Sequence, residues 1–209
     1  WRWVYLRQTD DFQAMTNLGK ALRADLQASF VNRRLKVVFE KVSRDGSRKL
    51  LFRLHDGLHI ETVLIPEKDH FTLCISSQVG CAQGCRFCMT ARGGFVRNLS
   101  AGEIIAQVRD FQQRVQRQGG MPLTNIVLMG MGEPLANYDN VRQALRIITN
   151  GDHGLKFSTR RVTLSTAGLV PRMADLGRDV QVNLAVSLNA ADDATRSRLM
   201  PINRTYPFE

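Results

Sequence analysis

The sequence predicts an α/β protein in which a partial (β/α) barrel, residues 71–209, follows a small α+β domain, residues 1–70. Three observations predict it. Residues 34–65 hold three extended runs joined by tight-turn sequences, as in an antiparallel sheet. From residue 70 onward, strand-like runs alternate with amphipathic stretches, the pattern of right-handed βαβ units on a parallel sheet. A late strand carries polar residues on its second face, which suits a hydrated barrel lumen rather than a filled core.

Taken in order, Phe12, Met15, Leu18, Leu22 and Leu26 recur at helical spacing behind Thr9-Asp10 and predict one amphipathic helix over 9–26. Extended runs at 34–42, 47–54 and 58–65 are joined by Arg44-Asp45-Gly46-Ser47 and His55-Asp56-Gly57. Pro66-Glu67-Lys68-Asp69 marks the boundary to the second domain. A strand at 70–76 runs into a cysteine loop. Ser100 and Glu103 form a capping box, and Ile104, Val108, Phe111 and Val115 stripe a helix ending at Gly119-Gly120. Strand 125–129, helix 138–149 (Val141, Leu145 and Ile148 inward), strand 161–165, helix 169–176 and strand 180–188 follow. In the last strand Val182, Leu184, Val186 and Leu188 are expected under the helices, with Asn183, Ala185 and Ser187 on the lumen side. About four βα units are too few for an eight-stranded barrel. The chain opens at Trp1 and stops in mid-pattern at Glu209, so the reading expects a fragment.

The net charge of +10 favours a polyanionic partner, because each cation near a phosphate releases counterions on binding. The basic residues crowd between positions 31 and 54: Arg33, Arg34, Lys36, Lys41, Arg44, Arg48, Lys49 and Arg53 stand against only Glu40 and Asp45. No signal peptide is visible and no apolar run approaches the ~20 residues of a membrane span. With clustered cysteines, this points to a reducing cytoplasm.

Three of the four cysteines, Cys81, Cys85 and Cys88, fall within Val79-Gly80-Cys81-Ala82-Gln83-Gly84-Cys85-Arg86-Phe87-Cys88-Met89. Thiolates at these spacings can wrap one face of a cubane, with Gly80 and Gly84 relaxing the backbone. Three ligands for four irons leave one iron open to a chelating substrate. A structural zinc site is the competing reading, but it needs four ligands. The remaining cysteine, Cys74, lies seven residues upstream on a strand, and the four histidines show no ligand spacing.

C-x-x-x-C-x-aromatic-C, with Phe87 as the aromatic, is the signature of the radical-SAM superfamily. Further segments resemble the RlmN/Cfr adenine methyltransferases within it: Cys74-Ile-Ser-Ser-Gln-Val-Gly-Cys81, Gly93-Gly94-Phe95 with Arg97-Asn98-Leu99, Gly130-Met131-Gly132-Glu133-Pro134-Leu135, Thr163-Leu164-Ser165-Thr166-Ala167-Gly168 and Pro201-Ile202-Asn203. Trp3-Val4-Tyr5 and Met15-Thr16-Asn17-Leu18 look like that family's N-terminal domain. The resemblance covers essentially the whole chain.

The resemblance implies a radical-SAM partial barrel in which Cys81, Cys85 and Cys88 bind a [4Fe-4S] cluster. The open iron would chelate S-adenosylmethionine, whose reductive cleavage yields a 5′-deoxyadenosyl radical, and the cofactor carries this difficult step. It implies methylation of adenine C2 in 23S rRNA and tRNA, with a C8-methylating resistance enzyme as the near alternative and a zinc-stabilised RNA-binding module as the non-enzymatic one. Gly132, Glu133, Ser165, Ser187, Leu188 and Asn189 match cofactor-contacting positions, although Asn189 stands where a histidine is common. The Glu133 carboxylate and its backbone are expected to meet the ligand's ammonium and ribose. Glu61 matches a proton acceptor and Cys74 a thiol that resolves a protein–RNA adduct by forming a disulfide. On the residues alone, Glu61 is an exposed strand carboxylate and Cys74 a buried strand cysteine. The family's methyl-carrying cysteine lies near its C-terminus, and no cysteine follows Cys88. The implied partners are structured RNA and a reducing electron donor such as flavodoxin, with a monomeric protein and no membrane.

Overall fold

The computed structural model describes residues 1–118 and 120–207. Four strands run antiparallel to their neighbours: β1 (Lys36–Val42), β2 (Arg48–Arg53), β3 (His59–Pro66) and β4 (Phe71–Cys74). A separate two-stranded ribbon pairs β5 (Gln78–Gly80) with β6 (Phe95–Asn98). Then β7 (Leu123–Leu128), β8 (Val162–Thr166) and β9 (Asn183–Val186) extend β4 in parallel, giving one sheet in the order β1-β2-β3-β4-β7-β8-β9. Both hairpin turns form as their residues dictate. Gly46 and Gly57 take positive φ, and Asp45 and Asp56 each accept a hydrogen bond from the backbone two residues on.

The helices are α1 (Arg2–Tyr5), α2 (Lys20–Ser29), α3 (Met89–Arg92), α4 (Ala101–Gln118), α5 (Tyr138–Thr149), α6 (Val170–Asp179) and α7 (Asp193–Leu199). The capping box opens α4: Ser100 N donates to Glu103 Oε2 at 2.9 Å, and Glu103 N donates to Ser100 Oγ at 3.2 Å. Of the expected Gly119-Gly120 stop, Gly119 lies outside the described residues. One continuous core joins both parts of the sheet to the helices. It includes Phe52, Ile60 and Leu64 from the antiparallel strands, Leu73, Ile126 and Leu164 from the parallel ones, and Ile104, Phe111, Val141 and Leu145 from α4 and α5. Phe52 meets Phe111 edge to face at 6.1 Å between ring centres.

Several elements differ from expectation. Residues 9–19 turn instead of starting a helix, because Asp11 accepts from Gln13 N and the backbone closes short turns at Met15 and Leu18. Gly19, extended at ψ 150, then caps α2. Leu184, Val186 and Leu188 were expected under helices but are 41%, 41% and 53% exposed, since β9 is the edge of the sheet. The β5–β6 ribbon and α7 had no periodic signal; α7 is capped by Asp192, whose Oδ1 accepts from Thr195 N at 2.7 Å. The N-terminal segment is pinned to α4 by ion pairs. Arg34 meets Asp10 at 2.6 Å and Asp110 at 3.3 Å, and Arg109 meets Asp10 at 2.8 Å. Among the described residues no helix is long and apolar enough to cross a membrane.

Burial, and then the 2.7 Å hydrogen bond to Asp179, push the Tyr138 phenol up to about 12. The unfolded chain would ionise this tyrosine from about pH 10, so the stability it contributes is present below pH 10 and lost as pH rises towards 12. Tyr138→Phe should flatten the fall of the urea midpoint across that window; an unchanged fall would remove the assignment.

Candidate active site

The cysteine loop leaves β5 at Gly80, which adopts φ +74. A Cβ there would lie 1.9 Å from Gly94 O, so only glycine lets the strand close on its partner. Cys81 N donates to Gly94 O at 2.9 Å, Cys88 N to Cys85 O at 3.0 Å, and Arg86 N reaches out of the loop to Leu199 O at 2.9 Å. Cys88 is the N-cap of α3. Cys81 is buried, Cys85 and Cys88 are half-buried, and none of them is in a disulfide. Burial pushes the Cys81 and Cys85 thiols up, and Cys85 is raised further by Cys81 and Cys88 beside it. The loop therefore holds its thiols close together, and Cys81 and Cys85, whose thiol forms burial favours, would release protons on taking metal.

Among the described residues, no group of three or more His, Cys, Asp or Glu side chains is placed to hold a single metal ion. Three soft thiol donors on one short loop are the donor set that suits a cubane with one iron left without a protein ligand.

Glu133 anchors the sheet's C-terminal edge behind the loop. It is 3% exposed, and both carboxylate oxygens accept from backbone: Oε1 from Leu135 N at 3.0 Å, Oε2 from Ala167 N at 2.7 Å. Burial raises its pKa, opposed by these bonds and one from Thr166. Its own N donates to Gln78 Oε1 at 2.8 Å. The carboxylate expected to meet a ligand ammonium is thus held in place by a backbone N–H on each oxygen. Gly132, at φ +103, has no room for a Cβ, which would lie 2.6 Å from the Gln78 side chain.

From Ala167 the polar chain continues through Arg196, 3% exposed. Its guanidinium donates to Ala167 O at 2.7 Å, Ser187 O at 3.2 Å and Leu188 O at 3.0 Å, and to the Asn203 side chain. Because Leu199 O receives Arg86 N, the circuit returns to the cysteine loop. Ser165 and Ser187 bring their hydroxyls to 3.4 Å. Asn189 sits at φ +58, a left-handed conformation that asparagine tolerates better than most residues. Sequence reasoning overlooked Gln78 and Arg196. Gln78 stood inside a quoted motif without a role, and Arg196 gave no periodic signal; Asn203, also in a quoted motif, proves to be an Arg196 partner.

Strand register puts the other predicted residues on one face. Cys74 lies opposite Val63 and Val127, Val127 opposite Thr163, and Ser165 opposite Ala185. With a period of two, Glu61, Cys74, Ser165 and Ser187 all share the face turned away from the core. Burial raises the Cys74 thiol pKa. Glu61 is half-exposed with Lys49 Nζ at 3.0 Å, and its N–H points to Met131 Sδ at 3.4 Å.

Glu133→Gln keeps one acceptor and sets an amide NH₂ against a buried backbone N–H. It should destabilise the chain by about 1–3 kcal/mol in urea unfolding; no loss would show that the two amides do not depend on the carboxylate.

Comparison with known proteins agrees with this geometry. A family model described as the Radical SAM superfamily matches residues 75–209, and one described as the ribosomal RNA large subunit methyltransferase N-terminal domain matches residues 1–31. The chain is 61% identical over 208 residues to the dual-specificity RNA methyltransferase RlmN of Desulfosudis oleivorans, covering 100% of this chain and 56% of the relative. It is 56% identical over 207 residues to the protein of that name from Geobacter sulfurreducens, covering 99% and 56%. The crystal structure of a radical SAM methyltransferase from Sphaerobacter thermophilus superposes with a TM-score of 0.90 at 48% identity, over 99% of this chain and 61% of that one. The chain thus spans little more than half the length of these relatives. A three-thiol loop at the C-terminal edge of a parallel sheet, matched in sequence and fold along its length, places the chain in the RlmN/Cfr branch of the radical SAM superfamily, whose cofactors are a [4Fe-4S] cluster and S-adenosylmethionine.

Proposed function

We propose that this chain is the cofactor-binding part of an enzyme that methylates C2 of an adenine in 23S rRNA and in tRNA. The observation that carries the reading is the junction of the three-thiol loop with the polar edge at Gly132, Ser165 and Ser187, joined through Glu133 and Arg196. Cys81, Cys85 and Cys88 would hold the cluster. When bound, the cluster and S-adenosylmethionine supply one-electron cleavage of a sulfonium bond, chemistry that no side chain can provide.

The chain's own residues bind, orient and move protons. The backbone of Gly132 and Glu133, the hydroxyls of Ser165 and Ser187, and Leu188 with Asn189 form the edge against which the ligand's amine and ribose are held. Glu61 accepts the proton lost from the methylated carbon, with Lys49 orienting its carboxylate. Cys74, on the same face, is the thiol that resolves the protein–RNA adduct, and its raised pKa keeps it protonated until then. The chain's four cysteines are assigned to the loop and to this thiol, so a methyl-carrying cysteine is not among them. Residues 1–70 are read as the RNA-facing part, a flavodoxin-like protein as the electron donor, and the cytoplasm as the site of action of a monomer.

Arg34, half-buried between Asp10 and Asp110, is a structural cation rather than an RNA contact. Arg33, Lys36, Lys41 and Arg53 remain exposed to solvent.

Anaerobic reconstitution of the 209-residue chain should give about four irons and four sulfides per chain. The triple variant C81A/C85A/C88A should give neither, and Cys74→Ala should keep both. Iron and sulfide retained by the triple variant, or absent from the parent, would overturn the reading.

A further inference from the structure

The ladder between β1 and β2 contains a defect with a consequence. Lys36 lies opposite Arg53 and Val37 opposite Phe52, but the next aligned pair is Phe39 with Leu51, so a bulge absorbs Val38. With strict alternation Lys36 and Phe39 would point to opposite faces. The bulge re-aims the strand so that Lys36, Phe39 and Lys41 all share one face. That face belongs to the active site. Leu51 lies opposite Glu61 and Lys49 opposite Val63, and the 3.0 Å Lys49–Glu61 contact places both side chains on it.

The resulting grid has a cationic row on either side of an aromatic one. Lys36 stands across from Arg53, and Lys41 across from Lys49. Like charges directly opposite in an antiparallel ladder destabilise it, with Cβ atoms only about 5 Å apart. Glu61 is the one carboxylate among these rows, and it is spent on Lys49 alone. Between the rows Phe39 is 57% exposed, although phenylalanine on a sheet is ordinarily covered. Its row ends at Glu61. Two repelling cation pairs and an uncovered ring suit a ligand that alternates anions with flat apolar surfaces, as single-stranded RNA does.

We propose that the exposed face of β1–β2 is a nucleotide platform: the Lys36–Arg53 and Lys41–Lys49 pairs take phosphates of an unpaired RNA segment, and Phe39 stacks a base of that segment beside Glu61. The proposal rests on the RNA reading above and names the surface that delivers the unstacked adenine. It also explains why the positive charge is concentrated in this hairpin, because stacking is indifferent to sequence and phosphate contacts supply most of the affinity.

The two kinds of contact leave different signatures. Binding of a stem-loop RNA with unpaired loop adenines, and of a fully paired duplex of equal length, would be followed by fluorescence anisotropy across a salt series. Phe39→Ala should weaken stem-loop binding about tenfold while leaving its salt slope and duplex binding unchanged, and Phe39→Trp should restore it. Lys41→Glu should weaken both RNAs and lower the salt slope by about one. Folding survives both changes, since Phe39 lies exposed on an edge strand and Lys41→Glu replaces a repelling pair with an attracting one. The platform is refuted if the parent chain binds the stem-loop but Phe39→Ala changes affinity less than about twofold, or if Lys41→Glu leaves the slope unaltered. A parent chain that binds neither RNA at low salt would instead overturn the RNA reading itself.

Discussion

A carboxylate enclosed by protein holds the C-terminal edge of the parallel strands together. Glu133 has almost no contact with solvent, and its two oxygens accept the backbone N–H groups of Leu135 and Ala167 while its own N–H is fixed by Gln78. Those three residues belong to different segments: the turn after β7, the end of β8 and the strand that enters the cysteine loop. A buried polar network of this kind specifies one arrangement because every alternative leaves a donor or acceptor without a partner. Gly130 and Gly132 are part of the same constraint. A Cβ at either would lie within 2.6 Å of the neighbouring segment, Ile75 O for Gly130 and the Gln78 side chain for Gly132.

Arg196 extends the constraint to the edge strand. Its guanidinium presents donors in a rigid fork and engages carbonyls at the ends of β8 and β9 at once, which a lysine ammonium on a flexible stem could not do. Beyond it, Leu199 and Arg86 close the circuit on the thiol loop. The loop is therefore held at its base by Gln78 and at its middle by α7, while Cys85 and Cys88 remain partly exposed. The rigid frame is built from backbone amides and buried side chains, while Cys85, Cys88 and Glu61 keep part of their surface exposed.

Much of this was legible in the sequence. The capping box at Ser100 and Glu103, the apolar stripes of α4 and α5 and the alternation of strands and helices each rest on a local pattern with one structural solution. The thiol loop was legible from spacing, and Ser187, just beyond β9, meets Ser165 as alternation predicts, although the apolar face expected opposite it is exposed. Long-range polar contacts were not. Nothing local in Arg196 announces that it will span the ends of two strands, and nothing local in Glu133 announces the two backbone amides that enclose its carboxylate. The turn region at 9–19 misled for the opposite reason. Its apolar spacing is helical, but the Asp11 side chain and the backbone satisfy each other locally, so the helix starts only after Gly19. The bulge at Val38 was invisible to alternation, which assumes an unbroken ladder.

The central claim is that three thiolates leave one iron of a cubane uncovered, and it can be read from the iron itself. Mössbauer spectra of the isotopically labelled, anaerobically reconstituted chain should show one iron of the four separating from the rest when S-adenosylmethionine is added. A spectrum in which all irons remain alike after saturation with S-adenosylmethionine would contradict the account.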